Sequence, residues 1–162
     1  MTSSNNRLLS SLSTDDFNLL GPHLESVTLG LRKHLERPIR RIDAVYFPEE
    51  GFASVVAVQS KGKQVEVGLI GREGMTGLPI VLGNHRSPHA TYVQAPGTAK
   101  CIPATELRKA TQTSPSLRDS LLKFVQAFGV QTTHTAVSNA QSRLDVRLAR
   151  WLLMAHDHLD ER

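Results

Sequence analysis

A series of short segments in which apolar and polar residues alternate limits the fold more than any other feature of the sequence. The series runs from Val27 to about Ile102, beginning with Val27, Leu29 and Leu31, which alternate with polar or small residues. Alternation with a period of two is typical of β-strands that have one buried face. Further along, "ASVVAVQ" and "QVEVGLI" are rich in β-branched residues, which favour strands. We therefore predict six or more short strands, with Val65, Val67 and Leu69 on one buried face.

Tight turns separate these segments. "SKGK" with Gly62 is typical of a hairpin turn, "FPEEGF" places Pro48 and Gly51 in a second turn, and "PG" joins "ATYVQ" to "TAKCI". Strands with such short connections pair antiparallel, and one open sheet would leave strand edges unpaired. The sequence therefore predicts an antiparallel β-roll or jelly roll.

Helical spacing appears on both sides of the predicted strands. Residues 7–20 indicate two short helices, and a third short helix follows Pro103. Ser114 as cap and Pro115 at the first position predict a long helix that ends near Val137, where "SNAQS" interrupts the pattern. A last helix shows strong helical spacing of Leu144, Leu148, Trp151, Leu152 and Ala155. The fold class is therefore mainly β with flanking helices, ending in a long helix and one further helix.

The long helix has more apolar surface than packing on one side requires. Its apolar residues form two adjoining stripes, one of Leu122, Val125 and Ala136 and the other of Leu117, Leu121, Phe124 and Phe128. An exposed apolar stripe usually marks an interface. We predict a homodimer through the stripe Leu117, Leu121, Phe124 and Phe128. The alternative is that both stripes pack within one chain.

Bulk composition indicates an ordinary globular chain. Apolar residues make up 40% of the 162 residues, charged residues make up 21%, and the net charge is +4. The longest apolar runs fall far short of the roughly 20 residues that a membrane helix needs, and the first residues lack the layout of a signal peptide. We therefore expect a cytoplasmic protein that does not span a membrane. With Cys101 as the single cysteine, we expect no disulfide within the chain and no cysteine-bound iron–sulfur cluster.

The segment "GLIGREGMTGLPIVLGNHRSPHATYVQ" is the candidate site. Its glycines either satisfy turn geometry or let backbone amides converge on an anion, although their spacing matches neither the P-loop nor the dinucleotide fingerprint. His85 and His89 lack a third ligand at usable spacing, so no metal site is expected. The sequence shows no G-x-S-x-G motif and no paired carboxylates. These observations argue against an enzyme.

The order of elements and three segments resemble the Crp/Fnr family of bacterial transcription regulators. The segments are "VYFPEEGFASVV", "VGLIGREGMTGLPIVLG" and "RLDVRLARWLLMAHD". The resemblance implies a cyclic-nucleotide-binding-type sensor with its dimerisation helix in residues 1–137. It implies a hinge and the first helix of a truncated DNA-binding domain in residues 138–162. DNA would be a partner only if the missing helix-turn-helix were supplied.

The sequence departs from the family members that bind cyclic AMP. In those members a Glu takes the ribose hydroxyl and an Arg neutralises the phosphate. Here Leu78 stands where the Glu would be, and His89 stands at the Arg position. Arg86 lies about three residues early. A cyclic nucleotide is therefore a disfavoured candidate, and the effector is unknown. The resemblance implies these ligand-binding candidates: Gly77, Leu78, Pro79, Arg86, Ser87, His89 and Ala90.

The resulting prediction is the sensor and dimerisation portion of a Crp/Fnr-type regulator. Two alternatives stay open. One is an interaction module without a ligand. The other is a cupin-like metalloenzyme on the same type of barrel, which the predicted strands disfavour because they offer no inward-facing histidine.

Overall fold

The structure is a computed structural model that describes residues 4–59 and 62–159. Within this part of the chain, seven strands alternate with turns and six helices flank them. The strands are β1 (Glu25–Leu29), β2 (His34–Glu36), β3 (Ala44–Pro48), β4 (Phe52–Val58), β5 (Gln64–Ile70), β6 (Ala90–Ala95) and β7 (Gly97–Pro103). The helices are α1 (Arg7–Ser10), α2 (Thr14–Leu20), α3 (Leu78–Val81), α4 (Ala104–Thr113), α5 (Pro115–Gln141) and α6 (Leu144–Leu159), and a 3₁₀ turn spans Gly21–His23.

The strands form two antiparallel sheets. One has the order β1-β7-β3, and the other has the order β2-β6-β4-β5. Consecutive strands such as β3 and β4, or β6 and β7, lie in different sheets, so the chain crosses between the two sheets at these turns. The predicted fold class, an antiparallel β-roll with flanking helices and a long C-terminal helix, is confirmed.

A β-bulge in β5 changes which of its residues are buried. Val55 pairs with Gly68 but the next residue, Val56, pairs with Glu66, so Val67 is the extra residue. A bulge breaks the strict alternation of side chains on which the prediction relied. Leu69 is buried, Val67 is half-buried, and Val65 is 41% exposed. The prediction of a shared buried face is therefore wrong for Val65.

The turns agree with the sequence where the structure describes them. Gly51 and Gly62 both have positive φ, 71° and 74°, and the N–H of Gly62 donates to the carbonyl of Gln59 at 3.1 Å. The other part of the predicted "SKGK" turn, Ser60 and Lys61, lies outside the described residues.

The main core lies between the β-roll and the helices at both ends of the chain. Its largest fully buried members include Phe47, Leu107 and Leu121. The buried Asn6 ties the first helix to this body, because its Nδ2 donates to the carbonyls of Pro48 at 2.8 Å and Gly74 at 2.9 Å. The short N-terminal helices also contribute Leu8, Leu9 and Leu20 to the main core.

Helix α5 has 27 residues and extends past its predicted end. Ser114 caps it as expected, since its Oγ accepts the N–H of Leu117 at 3.2 Å. The helix continues to Gln141 and ends at Ser142, which has extended backbone angles. Ser and Asn lower helix propensity without breaking a helix as Gly or Pro can. A domain boundary between residues 137 and 138 would cut through α5, and the division into two domains stays a prediction.

Helix α6 returns along the β-roll. Ala155 packs with Phe52 and Leu69 in a separate apolar cluster. The indole Nε1 of Trp151 donates to Glu66 Oε1 at 2.6 Å. No helix in the described residues is both long enough and apolar enough to cross a membrane.

A histidine–carboxylate pair holds the end of α6. His158 Nε2 lies 3.1 Å from Glu73 Oε1, and His158 Nδ1 lies 2.6 Å from the Met154 carbonyl. Since both partners are acceptors, the imidazolium form can donate to both at once. Burial alone would lower the pKa of His158, but the hydrogen bond and charge of Glu73 raise this pKa above its ordinary value. Burial would likewise raise the pKa of Glu73, but the hydrogen bond and charge of His158 lower it.

Candidate functional site

A cavity of about 550 Å³ lies between the β-roll, the loop after β5 and helix α5. This volume is in the range of pockets that bind small organic molecules. Strand residues form its floor: Val55, Val67, Ile70 and Thr91. The floor is mainly apolar because these residues lie on the inner side of the four-stranded sheet.

The segment of residues 71–89, which we call the cassette, forms the second wall. Gly77 has a positive φ of 72° and starts the single turn of α3, which turns the chain across the mouth of the roll. Cassette residues on the cavity wall are Leu78, Pro79, Leu82, Ser87, Pro88 and His89. Four of the seven predicted ligand-binding residues thus line the cavity: Leu78, Pro79, Ser87 and His89.

The other three candidates, Gly77, Arg86 and Ala90, are not part of the cavity wall. Ala90 is buried in β6. The guanidinium of Arg86 donates to the Ile39 carbonyl at 2.8 Å on the protein surface. The side chain of Arg86 is thus bound to another loop, and its role as a ligand-binding residue stays a prediction.

Helix α5 forms the third wall. It contributes Val125, Phe128, Gly129, Thr132, Thr133 and Ala136. The hydroxyl groups of Thr132 and Thr133 both donate to the Gly129 carbonyl, at 2.8 and 2.9 Å. Their oxygens remain able to accept a hydrogen bond from a ligand. The stripe that contains Val125 and Ala136 thus faces the cavity.

The stripe that was predicted as the dimer interface packs inside the chain. Leu117 and Leu121 are 0% exposed within the main core, so in this conformation they present no surface to a second copy, and their part in an interface stays a prediction. Phe124 packs against the same core, and Phe128 reaches the cavity. The alternative arrangement, with both stripes packed within one chain, describes these residues better.

Glycines of the "GLIGREG" segment make room for the two C-terminal helices. A Cβ at Gly68 would lie 2.7 Å from the Phe128 ring. A Cβ at Gly74 would overlap the Phe124 ring, and one at Gly71 would overlap His158. Neither alternative considered from the sequence, turn geometry or anion binding, accounts for these three positions. At each of these positions the glycine lets a side chain of α5 or α6 approach the backbone closely. That side chain comes 50 or more residues later in the chain.

Glu36 lines the cavity, although sequence reasoning did not select it. Its strand pairs with β6, and the register shifts between His34, opposite Tyr92, and Glu36, opposite Thr91. Such a bulge changes the direction in which a side chain points. Glu36 is only 7% exposed, and its Oε1 accepts the N–H of Gly77 at 2.8 Å. No sequence signal marks this residue, because β2 has only three residues and the pairing is long-range.

The charge of the cavity wall is negative. Glu36 is its one carboxylate, no Lys or Arg is among the described lining residues, and His89 is the other titratable group. Within the described part of the chain, no group donates to Glu36 Oε2. Every fully buried side-chain oxygen there has a hydrogen-bond partner, so Oε2 is not fully buried. A phosphate in this cavity would therefore meet a carboxylate and no fixed cation.

One face of α5 remains exposed on the side away from the cavity. Ala127, Val130, His134 and Val137 line one shallow groove. Their spacing of three, four and three residues is that of the a and d positions of a heptad repeat. Val130 and Val137 are each 51% exposed.

Among the described residues, no group of three His, Cys, Asp or Glu side chains could hold a metal ion. No protein-family model and no curated protein matches the sequence.

Solved structures share the fold at low sequence identity. A protein assigned to the Crp/Fnr family of transcriptional regulators from Eubacterium rectale has a TM-score of 0.78 at 12% identity, over 94% of this chain and 72% of its own. CLP of Xanthomonas campestris, a global regulator responsive to c-di-GMP, has a TM-score of 0.70 at 16% identity, over 86% of this chain and 70% of its own. The regulatory domain of Toxoplasma gondii protein kinase A with cAMP has a TM-score of 0.61 at 15% identity, over 76% of this chain and 46% of its own. Crp/Fnr regulators and cyclic-nucleotide-binding domains are thus the structural neighbours of this chain, as the sequence resemblance predicted.

Proposed function

We propose that this chain is the sensor and dimerisation portion of a Crp/Fnr-type regulator and that it binds a small molecule in the cavity below α5. It acts as a binding domain in the cytoplasm and not as an enzyme. The structural neighbours support a sensor domain of this type.

The observation that carries the proposal is the position of α5. The same helix supplies one wall of the cavity through Val125, Phe128 and Thr132 and leads directly into α6. A ligand in the cavity contacts α5, so its binding energy can favour one position of α5 over another. Binding is thereby coupled to the part of the chain that follows the sensor.

The cavity is tested with a variant that fills it. Val125→Trp places a large ring in the cavity, whereas Gln126→Trp puts the same ring on an exposed position of α5. We expect compounds from a metabolite and nucleotide screen to raise the melting temperature of the wild type and of Gln126→Trp but not that of Val125→Trp.

Three results would contradict the proposal. A screen in which no compound stabilises the wild type would favour a ligand-free interaction module. Equal stabilisation of the wild type and Val125→Trp would place the binding site elsewhere. Stoichiometric metal in the purified protein together with turnover of a substrate would favour the metalloenzyme.

For the dimer, the exposed face of Ala127, Val130, His134 and Val137 replaces the predicted stripe. A heptad arrangement on the longest helix is self-complementary, so the partner we propose is a second copy of this chain about a two-fold axis. Pairing would remove Val130 and Val137 from water on both copies.

Sedimentation tests this dimer. We expect the wild type to be dimeric at tens of micromolar and the double variant Val130→Glu, Val137→Glu to be monomeric. Gln112→Glu, Gln126→Glu is the control, since it adds the same charge at exposed positions outside the groove. A monomeric wild type, or a double variant that stays dimeric, would contradict the proposed interface.

Sequence-specific DNA binding is not part of the role proposed for the described residues. The described residues after α5 form the single helix α6, and a net charge of +4 supports only salt-sensitive, non-specific attraction to DNA.

A further inference from the structure

The wall of the cavity includes a buried carboxylate side chain, that of Glu36. Glu36 Oε1 is held by the Gly77 N–H at 2.8 Å, which fixes the carboxylate against the cassette. No described group donates to the other oxygen, Oε2, which is not fully buried, and Glu36 lines the cavity. Glu36 as a residue is only 7% exposed, so a donor that reaches Oε2 meets a partly desolvated carboxylate and gains more than it would at the surface.

The rest of the wall sets the other requirements for a ligand. The floor and the cassette present aliphatic side chains, with Val55, Ile70 and Leu82 among them. The polar groups on α5, Thr132 and Thr133, already donate to the Gly129 carbonyl and offer acceptor capacity only. Apart from the imidazole of His89, the wall thus combines an apolar body with acceptors, and no Lys or Arg lines it within the described residues.

We infer that the cavity binds a small, mainly apolar molecule that carries a protonated amine or a comparable N–H donor, which Glu36 Oε2 accepts. This inference rests on the proposed function, because it concerns the ligand of the same cavity. A cyclic-nucleotide site must attract a negatively charged phosphate. The charge of Glu36 on this cavity wall instead repels a phosphate and attracts a cation. Charge-assisted hydrogen bonds are the strong ones in such a setting.

A matched series of three indoles tests the inference by calorimetry. Tryptamine carries a cation, tryptophol a neutral hydroxyl and indole-3-acetate an anion on nearly the same apolar body. We expect the wild type to bind tryptamine about ten-fold or more tightly than tryptophol and to bind indole-3-acetate most weakly. In Glu36→Gln, which keeps the side-chain size and an oxygen for the Gly77 N–H, this preference should fall to about two-fold or less.

The control variant is Glu25→Gln, an exposed carboxylate on β1 outside the cavity, which should keep the wild-type preference. Equal binding of all three indoles by the wild type, blocked by Val125→Trp, would overturn the ligand class and leave the proposed sensing cavity in place. Binding of none of the three would also overturn the ligand class, and the broader screen would then decide the proposed function. If Glu36→Gln did not fold, the order of the three affinities in the wild type would still decide the inference.

Discussion

Replacing Leu121 by Ala tests whether the first stripe of α5 is core or interface. Leu121 is 0% exposed in the main core. The substitution removes three carbon groups, which at about 0.8 kcal/mol each contribute roughly 2.4 kcal/mol, and the cavity left behind adds to this cost. We therefore expect the free energy of unfolding to fall by about 2–5 kcal/mol. A loss of about 3 kcal/mol would lower the melting temperature by roughly 6–12 °C in a chain of this size.

The assay is urea unfolding at two protein concentrations. A loss in the core is intrinsic to each chain, so the difference between wild type and Leu121→Ala should not depend on concentration. Leu152→Ala is the control, because Leu152 is 53% exposed on α6 and should lose less than about 1 kcal/mol. A loss below about 1 kcal/mol for Leu121→Ala, accompanied by dissociation of a dimer, would refute the core assignment and restore the predicted interface.

Three further predictions concern the cavity and the contacts of the glycines and of α6. Calorimetry with cyclic AMP should show weak or no binding, because the described wall offers no fixed cation for the phosphate; low-micromolar affinity would contradict this. Gly74→Ala should destabilise the fold by about 1–3 kcal/mol, because the added Cβ would overlap the Phe124 ring. Gly129→Ala should instead stabilise α5 by about 0.5–1 kcal/mol, because a Cβ at this position has free space. Equal effects of the two substitutions in thermal unfolding would contradict the close packing at Gly74. Because the pKa of His158 is raised, its contribution to the free energy of unfolding is complete below pH 6.5 and is lost as the pH rises through the raised pKa. Because the pKa of Glu73 is lowered, its contribution is complete above pH 4.5 and is lost as the pH falls through the lowered pKa. The melting-temperature difference between wild type and Glu73→Gln should therefore be largest between about pH 4.5 and 6.5, and a difference that does not change with pH would contradict the ion pair.

Local signals explain why the fold was predictable from the sequence. Strand alternation, turn residues and the Ser114 cap each act over a few residues, and the structure contains the corresponding elements. The error at Val65 arose from a bulge in β5, which no local pattern marks.

The candidate site was only partly predictable, because long-range pairing builds it. Leu78 and His89 were found through the resemblance of the cassette, but Glu36 enters the cavity through the pairing of β2 with β6. The two stripes of α5 were read correctly as apolar. Which side of α5 packs on the roll depends on glycines such as Gly74. The ring of Phe124, which comes 50 residues later in the chain, occupies the space that a side chain at Gly74 would need.

Mapping a ligand onto backbone amides by NMR tests the central claim most directly. Titration of the ¹⁵N-labelled protein with tryptamine should shift the amide resonances of Gly77, Thr132 and Thr133 most, because these residues line the cavity or hold the Glu36 carboxylate. Indole-3-acetate at the same concentration should cause much smaller shifts at these positions. Absence of shifts with tryptamine, or largest shifts along the groove of Val130 and Val137, would contradict a cavity that binds a small donor-bearing molecule below α5.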